Sequence, residues 1–345
     1  MKILDKPERM PAEQFGSATI ARLERRRLEL TFEADEQGEE GSIPLHILAG
    51  AEPGPTLLVL AAVHGDEYEG VQTVIELGRL LKPGDIRGTL LMVPVANPYA
   101  YRAANRCAPE DGRNLAREFP GNPEGTLTQR LAWQIAHRLI DQADFLLDLH
   151  SGGTYYEVAE LVGYYDKDET EAGRRSKAAA EAFGLEVLWG HRETGPGRTI
   201  TYANERGIPW LYTEAAGGRR IKRQEQLRFR QGALRLMNHL GMLVAPGCWI
   251  EGEAAQVICR LGGSGDFDGS VTAECEGFFI PEVELLQRVR RGAPIGAIYD
   301  GYGREKAELC AISDGVIVGL AGTPAVAVGS VVYMIAEEYE GEING

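Results

Sequence analysis

The segment Thr56-Leu57-Leu58-Val59-Leu60-Ala61-Ala62-Val63 is apolar at almost every position. A strand with one face in water alternates apolar and polar residues, so an uninterrupted run fits a strand buried on both faces, as in a parallel sheet covered by helices. Pro53-Gly54-Pro55 introduces it. Glu69 to Leu81 follows with helical spacing and is stopped by Lys82-Pro83-Gly84. The cycle then repeats. Thr89 to Val95 is a second apolar strand, and its Pro94 suggests an edge position or a bulge near the end. Thr126 to Gln129 reads as a capping box, and Leu127, Leu131, Ile135 and Leu139 form a helical stripe. Phe145 to His150 is a third strand and Leu161 to Tyr165 a fourth. Glu171 to Phe183 is a helix, Pro209 to Thr213 a strand ending at Glu214, and Glu225 to Leu240 a helix. Ahead of this pattern lie a lead-in with a helix near Ala18 to Arg25 and a hairpin. The hairpin pairs Leu28–Glu33 with Ile43–Ala49 across the turn Asp35–Gly41. Residues 1–245 are thus expected to form an α/β domain, with a mixed, mostly parallel sheet flanked by helices.

From Pro246 the texture changes to glycine-rich, acidic, short alternating segments. Val257–Leu261, Ser270–Cys275, Gly277–Pro281, Ile295–Tyr299, Glu308–Ser313 and Val331–Ala336 read as strands of an all-β domain over 246–345. Residues 250–345 hold 16 acidic and 6 basic side chains, so this third carries −10 of the chain's net charge of −15. Such a surface disfavours nucleic acid and anionic membranes as partners, although local arginines can still recognise a small anion. The N-terminus has no apolar signal core, and no stretch of about 18 apolar residues occurs. Five cysteines without Cys-x-x-Cys spacing argue against thiolate zinc and a disulfide framework, and point to the cytoplasm.

Ligands of open α/β sheets bind beyond the carboxyl ends of the strands. His64, Asn97, His150 and Glu214 all fall at such ends. His64-x-x-Glu67 alone is weak: with 51 acidic residues in 345 and six histidines, about one such pair arises by chance. The constellation is stronger. Two histidines and a glutamate form a known catalytic zinc set that keeps a position open for water. His64 and Glu67 come from one turn, and His150 from another strand end. Asp148 lies on the same strand face as His150 and can orient a ligand. Glu214 is left over as a general base. The long loop from Asn97 to Pro123 supplies Arg102, Arg106, Arg113 and Arg117, of which Arg102 and Arg113 read as positioning or surface groups. His46, His137, His191 and His239 lack such context and read as structural or solvent-facing. Gly262-Gly263-Ser264-Gly265 reads as a hairpin turn rather than a phosphate loop, Ser151 has no nucleophile elbow around it, and Glu337 to Glu342 reads as a solvated acidic end.

Taken together, His64-x-x-Glu67, Asn97-Pro98, the run Asp111 to Gly121, Asp148-Leu149-His150-Ser151-Gly152-Gly153 and Glu214 resemble the succinylglutamate desuccinylase/aspartoacylase family of the zinc carboxypeptidase clan. The likeness spans about residues 40 to 340, because Gly277 to Pro281 and Arg291 to Gly296 are similar to the barrel-sandwich domain of longer bacterial members. The Asp-Leu-His-Ser-Gly-Gly form resembles the branch that deacetylates N-acetyl-diaminobutyrate. The resemblance implies one zinc ion per chain on His64, Glu67 and His150, with Glu214 as base. It implies Arg106 on the oxyanion, Arg117 on a substrate carboxylate and Asn114 beside it as a second substrate-binding residue. The substrate would be a small N-acylated amino acid or amine, cleaved at a C–N bond other than a peptide bond. One departure stands out: the family commonly has Asp-Leu-Asn-Arg where this chain has Asn114-Leu115-Ala116-Arg117, so carboxylate recognition loses a donor at Ala116. A carboxypeptidase-like peptidase and a non-catalytic binding homologue are the competing readings. An all-β domain packed over the cleft would separate them by excluding peptides, and its exposed strands could pair copies of the chain into a homo-oligomer.

Overall fold

A computed structural model describes residues 6–16, 20–34, 40–263 and 270–339. Strands in chain order are β1 (Glu8–Pro11), β2 (Arg25–Glu33), β3 (Glu40–Ala49), β4 (Thr56–Ala61), β5 (Thr89–Val93), β6 (Phe145–Leu149), β7 (Tyr156–Val158), β8 (Leu161–Tyr165), β9 (Val187–His191), β10 (Trp210–Glu214) and β11 (Cys259–Gly262). The all-β segment adds β12 (Val271–Thr272), β13 (Gly277–Pro281), β14 (Arg288–Val289), β15 (Pro294–Tyr299), β16 (Glu305–Cys310), β17 (Gly315–Ala321), β18 (Ala325–Val326) and β19 (Val331–Glu338). The α-helices are α1 (Glu69–Leu80), α2 (Pro98–Arg102), α3 (Leu127–Gln134), α4 (Glu171–Phe183), α5 (Thr199–Glu205) and α6 (Arg223–His239).

One large mixed sheet runs β1-β2-β3-β5-β4-β6-β10-β8-β9-β11-β19-β17-β14, with β12 on β19 and β7 on β17; a second sheet runs β16-β15-β13-β18. The central strands β5, β4, β6 and β10 are parallel neighbours. The apolar run that opens the αβ pattern sits in their midst, and Leu57 to Val63 are each 0% exposed. Its residues divide between two cores. Leu57, Val59 and Ala61 pack with Val74 and Leu77 of α1 and with Phe183 and Phe229 of α4 and α6. Leu58, Leu60 and Val63 face Leu131, Ile135, Ile200 and Ala203. Burial on both sides is why no polar residue interrupts the run.

The hairpin of β2 and β3 forms with Leu28 opposite Leu45; most of its expected turn, 35–39, lies outside the described residues. The expected helix near Ala18 to Arg25 also falls partly outside, at 17–19. Its remainder is a turn with Leu23 in the left-handed region, leading into β2 at Arg25. The expectation of an edge or bulge at Pro94 is corrected: β5 lies between β3 and β4 and ends at Val93, so no ladder bond is required of the proline. Gln129 reaches back to the Thr126 N–H at 3.1 Å, as a capping box requires. The stripe beyond it is an α-helix only to Gln134. Ile135–Leu139 is a π turn and Ile140–Gln142 a 3₁₀ turn. A strict four-residue spacing drifts off a 3.6-residue face, and the wider turn takes up the drift, leaving Leu131, Ile135 and Leu139 all buried.

In the all-β segment β13, β15 and β19 fall near their expected places. The strand expected at Glu308–Ser313 lies three residues earlier, as β16, and Ser270–Cys275 shrinks to β12. β17 is not among the strands that the sequence pattern predicts, although its centre is buried between β19 and its other neighbours. Glu337 and Glu338 are not a free tail: they belong to β19, and Arg288 holds Glu338 through two contacts of 2.6 Å. Ser264 and Gly265 of the expected glycine turn lie outside the described residues. The sheet does not stop where the sequence texture changes: β11 is parallel to β9 and β7 pairs with β17.

Candidate metal centre and active site

Because β5, β4, β6 and β10 are parallel neighbours, their carboxyl ends line one edge of the sheet, and the residues after each end meet there. Beyond β4 the chain turns through Ala62, which has φ +50°. Gly65 then passes so close to α2 that a Cβ would lie 2.0 Å from the Ala100 carbonyl carbon. This turn presents His64 and Glu67 inward. Asp66 ties it to the loop after His150, its Oδ2 accepting the Thr154 N–H at 2.8 Å. Asn97 serves the scaffold: its side chain accepts the Ala100 N–H at 3.1 Å and caps α2, and its own N–H bonds to Ala62.

The ligand atoms of His64, Glu67 and His150 lie within 4.8 Å of one another, and no other such group of three His, Cys, Asp or Glu side chains occurs among the described residues. Glu67 is the hub. Its Oε1 lies 2.7 Å from His64 Nδ1, and its Oε2 lies 2.9 Å from His150 Nδ1. The far nitrogens are anchored. His64 Nε2 is 3.1 Å from Asn114 Oδ1, and that oxygen also accepts the Ala116 N–H at 2.9 Å, which settles which end of the amide faces the ring. His150 Nε2 lies 3.1 Å from Asp148 Oδ2, which also accepts the Thr199 hydroxyl at 2.5 Å. Each ring can therefore donate from Nε2 to a fixed acceptor and turn the lone pair of Nδ1 toward Glu67. This is how histidines are oriented toward a cation. Two nitrogens and a carboxylate oxygen suit zinc, and the donor set fits such an ion.

In the metal-free protein the two rings differ: His64 is held neutral, whereas His150 holds a proton that a cation would have to displace. Burial, and then Arg106, pushes His64 down to about 4, so its ring is neutral at physiological pH. Burial alone would raise Glu67, but the two histidines outweigh it and hold the carboxyl below the ordinary range. Burial would lower His150, yet the Asp148 and Glu67 carboxylates raise it well above its usual value. Glu214, at the end of β10, is pushed up to about 8, first by burial and then by the charge of Glu67. Its Oε2 is buried without a hydrogen-bond partner.

A cavity of about 90 Å³ opens over these residues. His64, His150, Asp148, Glu214, Arg106, Arg117 and Ala116 line it. Asn114 is not among its lining residues and is turned toward His64. Arg106 places Nη1 3.3 Å from Glu67 Oε1. Arg102 bonds back to Pro98, and Arg113 to Glu118, so neither points into the cavity. The lining also holds residues that the sequence did not mark: Arg198, Thr194, Tyr212 and His191. Of the two roles expected for His191, structural or solvent-facing, it takes the structural one. It is buried, it lines the cavity, and its Nε2 lies 2.8 Å from the Tyr212 hydroxyl. No signal in the chain separates Arg198 from the other 35 basic residues.

The Asp148–His150 contact leads to a test. Asp148→Asn keeps the shape and removes the charge that holds His150 Nε2–H. Metal affinity is expected to fall about 10- to 100-fold, read by competition with a chromogenic chelator, while thermal unfolding of the metal-free protein stays cooperative.

Two histidines and a glutamate at the mouth of a helix-flanked mixed sheet, beside Glu214, define the class: an α/β protein with a cluster of side chains that could hold a metal ion. Residues 53–240 match the succinylglutamate desuccinylase/aspartoacylase catalytic domain, and the chain belongs to that family. It is 30% identical over 306 residues to the N-alpha-acetyl-L-2,4-diaminobutyric acid deacetylase of Halomonas elongata, covering 86% of each chain. The crystal structure of a succinylglutamate desuccinylase/aspartoacylase from Rhodobacter sphaeroides superposes with a TM-score of 0.78 at 28% identity, covering 92% of this chain and 96% of the other. The product-bound ectoine utilization protein EutE (DoeB) from Ruegeria pomeroyi does so with a TM-score of 0.80 at 27% identity, covering 91% and 95%.

Proposed function

We propose that the protein is a zinc-dependent deacylase that hydrolyses the amide bond of a small N-acylated amino acid or amine. The observation that carries this reading is the convergence of both Nδ1 atoms on Glu67, with Glu214 in the same cavity. The relatives' names, deacetylase and desuccinylase, support it.

In this reading His64, Glu67 and His150 hold one zinc ion per chain. When bound, the ion supplies a Lewis acid for the acyl carbonyl and acidifies a water. Glu214 takes the proton as the water oxygen adds to the acyl carbon, and passes it to the amide nitrogen as the C–N bond breaks. The products are a carboxylic acid and a free amine. Arg106, beside Glu67, holds its charge where the oxyanion develops. Arg117 binds a substrate carboxylate, and Arg198, which lines the same cavity, supplies the donor that Ala116 lacks. Asn114 contributes by orienting His64 rather than by touching substrate.

The two-part division at 245/246 is read as functional, with the α/β part carrying the chemistry and the barrel-sandwich-like segment supporting it. Among the described residues every side chain lining the cavity lies between 64 and 214. No helix among the described residues is long and apolar enough to cross a membrane, and the five cysteines are unpaired. The setting we propose is the cytoplasm, with a small molecule as substrate. The test is a panel of acetyl-, succinyl- and aspartyl-type amides beside short peptides, offered to the zinc-loaded protein. Turnover of small amides is expected. Turnover of peptides alone would favour the metallopeptidase reading, and no turnover at all the binding homologue.

A further inference from the structure

We propose that Tyr156 is a positioning residue for Arg106, and that the all-β segment sets it in place through β17. The proposal rests on the reading of Arg106 as the oxyanion partner.

Arg106 comes from an irregular loop four residues beyond α2, and its side chain is 20% exposed. A single contact of 3.3 Å to Glu67 fixes one nitrogen of the guanidinium but not its plane. The face of Tyr156 does that: the guanidinium carbon stands 5.3 Å from the ring centroid, within reach of the ring's quadrupole.

Tyr156 in turn depends on its neighbours, because β7 has only three residues and so short a strand has little stability of its own. On one side it rests on the segment just after Glu214. Val158 N–H bonds to Ala216 at 3.2 Å, and Glu157 bridges Gly217. On the other side it is an added strand of the all-β segment. Tyr156 pairs with Ala321 and Val158 with Gly319, the Ala159 N–H bonds to Val318, and the Gly322 N–H bonds to Tyr155 at 2.8 Å. A Cβ on Gly322 would stand 2.8 Å from Tyr156 backbone atoms, so this close approach requires glycine. β7 therefore links β17 to both the cation at Glu67 and the chain that carries Glu214. The all-β segment reaches the chemistry through this strand, without lining the cavity.

The experiment uses the zinc-loaded full chain and N-acetyl-2,4-diaminobutyrate, or the best amide of the panel above. Tyr156→Leu is expected to lower kcat about tenfold with KM within about twofold and zinc content unchanged. Tyr156→Phe, which keeps the ring, restores kcat to within about twofold of wild type. Stepwise fluorination of a phenylalanine at 156, which drains the ring face without changing its shape, lowers kcat step by step. In an Arg106→Ala background, Tyr156→Leu has no further effect. If Tyr156→Leu does not fold, Tyr156→Thr removes the ring while keeping strand propensity. An unchanged kcat in the ring-less variants, a flat fluorination series, or additive losses in the double variant would overturn the proposal while leaving the oxyanion reading intact. An unchanged kcat in Arg106→Ala alone would overturn that reading and the proposal with it.

Discussion

Glu214→Gln is expected to lower kcat by about 10²- to 10⁴-fold while the protein still binds one zinc ion. Gln has the size of Glu but cannot take a proton from water, and Glu214 is not among the three side chains that converge on a metal position. KM should change little, because a general base acts in the transition state rather than on substrate binding. Metal analysis alongside steady-state kinetics decides the matter, and loss of zinc in this variant would make Glu214 a ligand instead. The same substitution has a second effect of opposite sign. Glu214 is raised from the ordinary carboxylate value to about 8 in the metal-free protein, so its proton is bound more tightly when folded than when unfolded. No cost falls on folding below the unfolded value near 4.5. As pH rises from there through about 8, the buried charge disfavours the native state, on the order of a few kcal/mol. Metal-free Glu214→Gln should therefore melt higher than metal-free wild type at pH 9 and nearly level with it at pH 4. A gap independent of pH would remove burial of this carboxylate as the cause.

Glu67→Ala is expected to behave in the opposite way, losing both metal and activity. Glu67 meets His64 and His150 with its two oxygens and also accepts from the Ser151 N–H at 3.3 Å and from Arg106. Its removal takes away one of three ligands and the counter-charge that lies between Arg106 and a raised His150. Zinc affinity should fall on the order of a thousandfold or more, with activity below detection at equimolar metal. Saturating zinc should restore little of it, because Arg106 has lost the carboxylate that holds it. Recovery of wild-type kcat at high zinc would show that Glu67 only tunes affinity. The contrast between the two variants, one inactive with metal and one inactive without it, separates the base from the ligands.

How much of this the sequence could disclose follows from the length scale of each feature. The β4 run was legible because burial on both faces leaves an unbroken apolar signature. α4 was legible to the residue because Thr170 caps it, accepting the Gly173 N–H, and Gly184 ends it at φ +86°. His64, Glu67 and His150 could be brought together because strand ends of a parallel sheet share one edge, so the topology supplied what spacing could not. Features below a few residues left no periodicity. β7 has three residues and α5 seven, too short for either repeat to show. β17 carries glycines at 315 and 319 that mask a buried strand. Arg198 and Tyr156 matter through what they face, and facing is a property of the folded chain. The resemblance places Asn114 beside the substrate; in the structure its oxygen accepts the Ala116 N–H and faces His64, a geometry that no pattern of residue types encodes.

The continuity of the large sheet bears on how this chain comes apart. Two stretches of very different composition share hydrogen-bonded ladders at β9–β11 and at β7–β17. A mixed apolar cluster, with Leu161 and Trp189 on one side and Leu261, Val318 and Met334 on the other, seals the join. Melting the last hundred residues alone would bare two strand edges and this cluster to water. Partial unfolding therefore exposes this seam, and the expected result is a single cooperative transition, checked by calorimetry; two resolved transitions would show that the parts melt separately. A protease that nicks the glycine-rich segment would then find few molecules in which the catalytic half stands without its other half. The boundary visible in composition is crossed by two hydrogen-bonded ladders and an apolar seam.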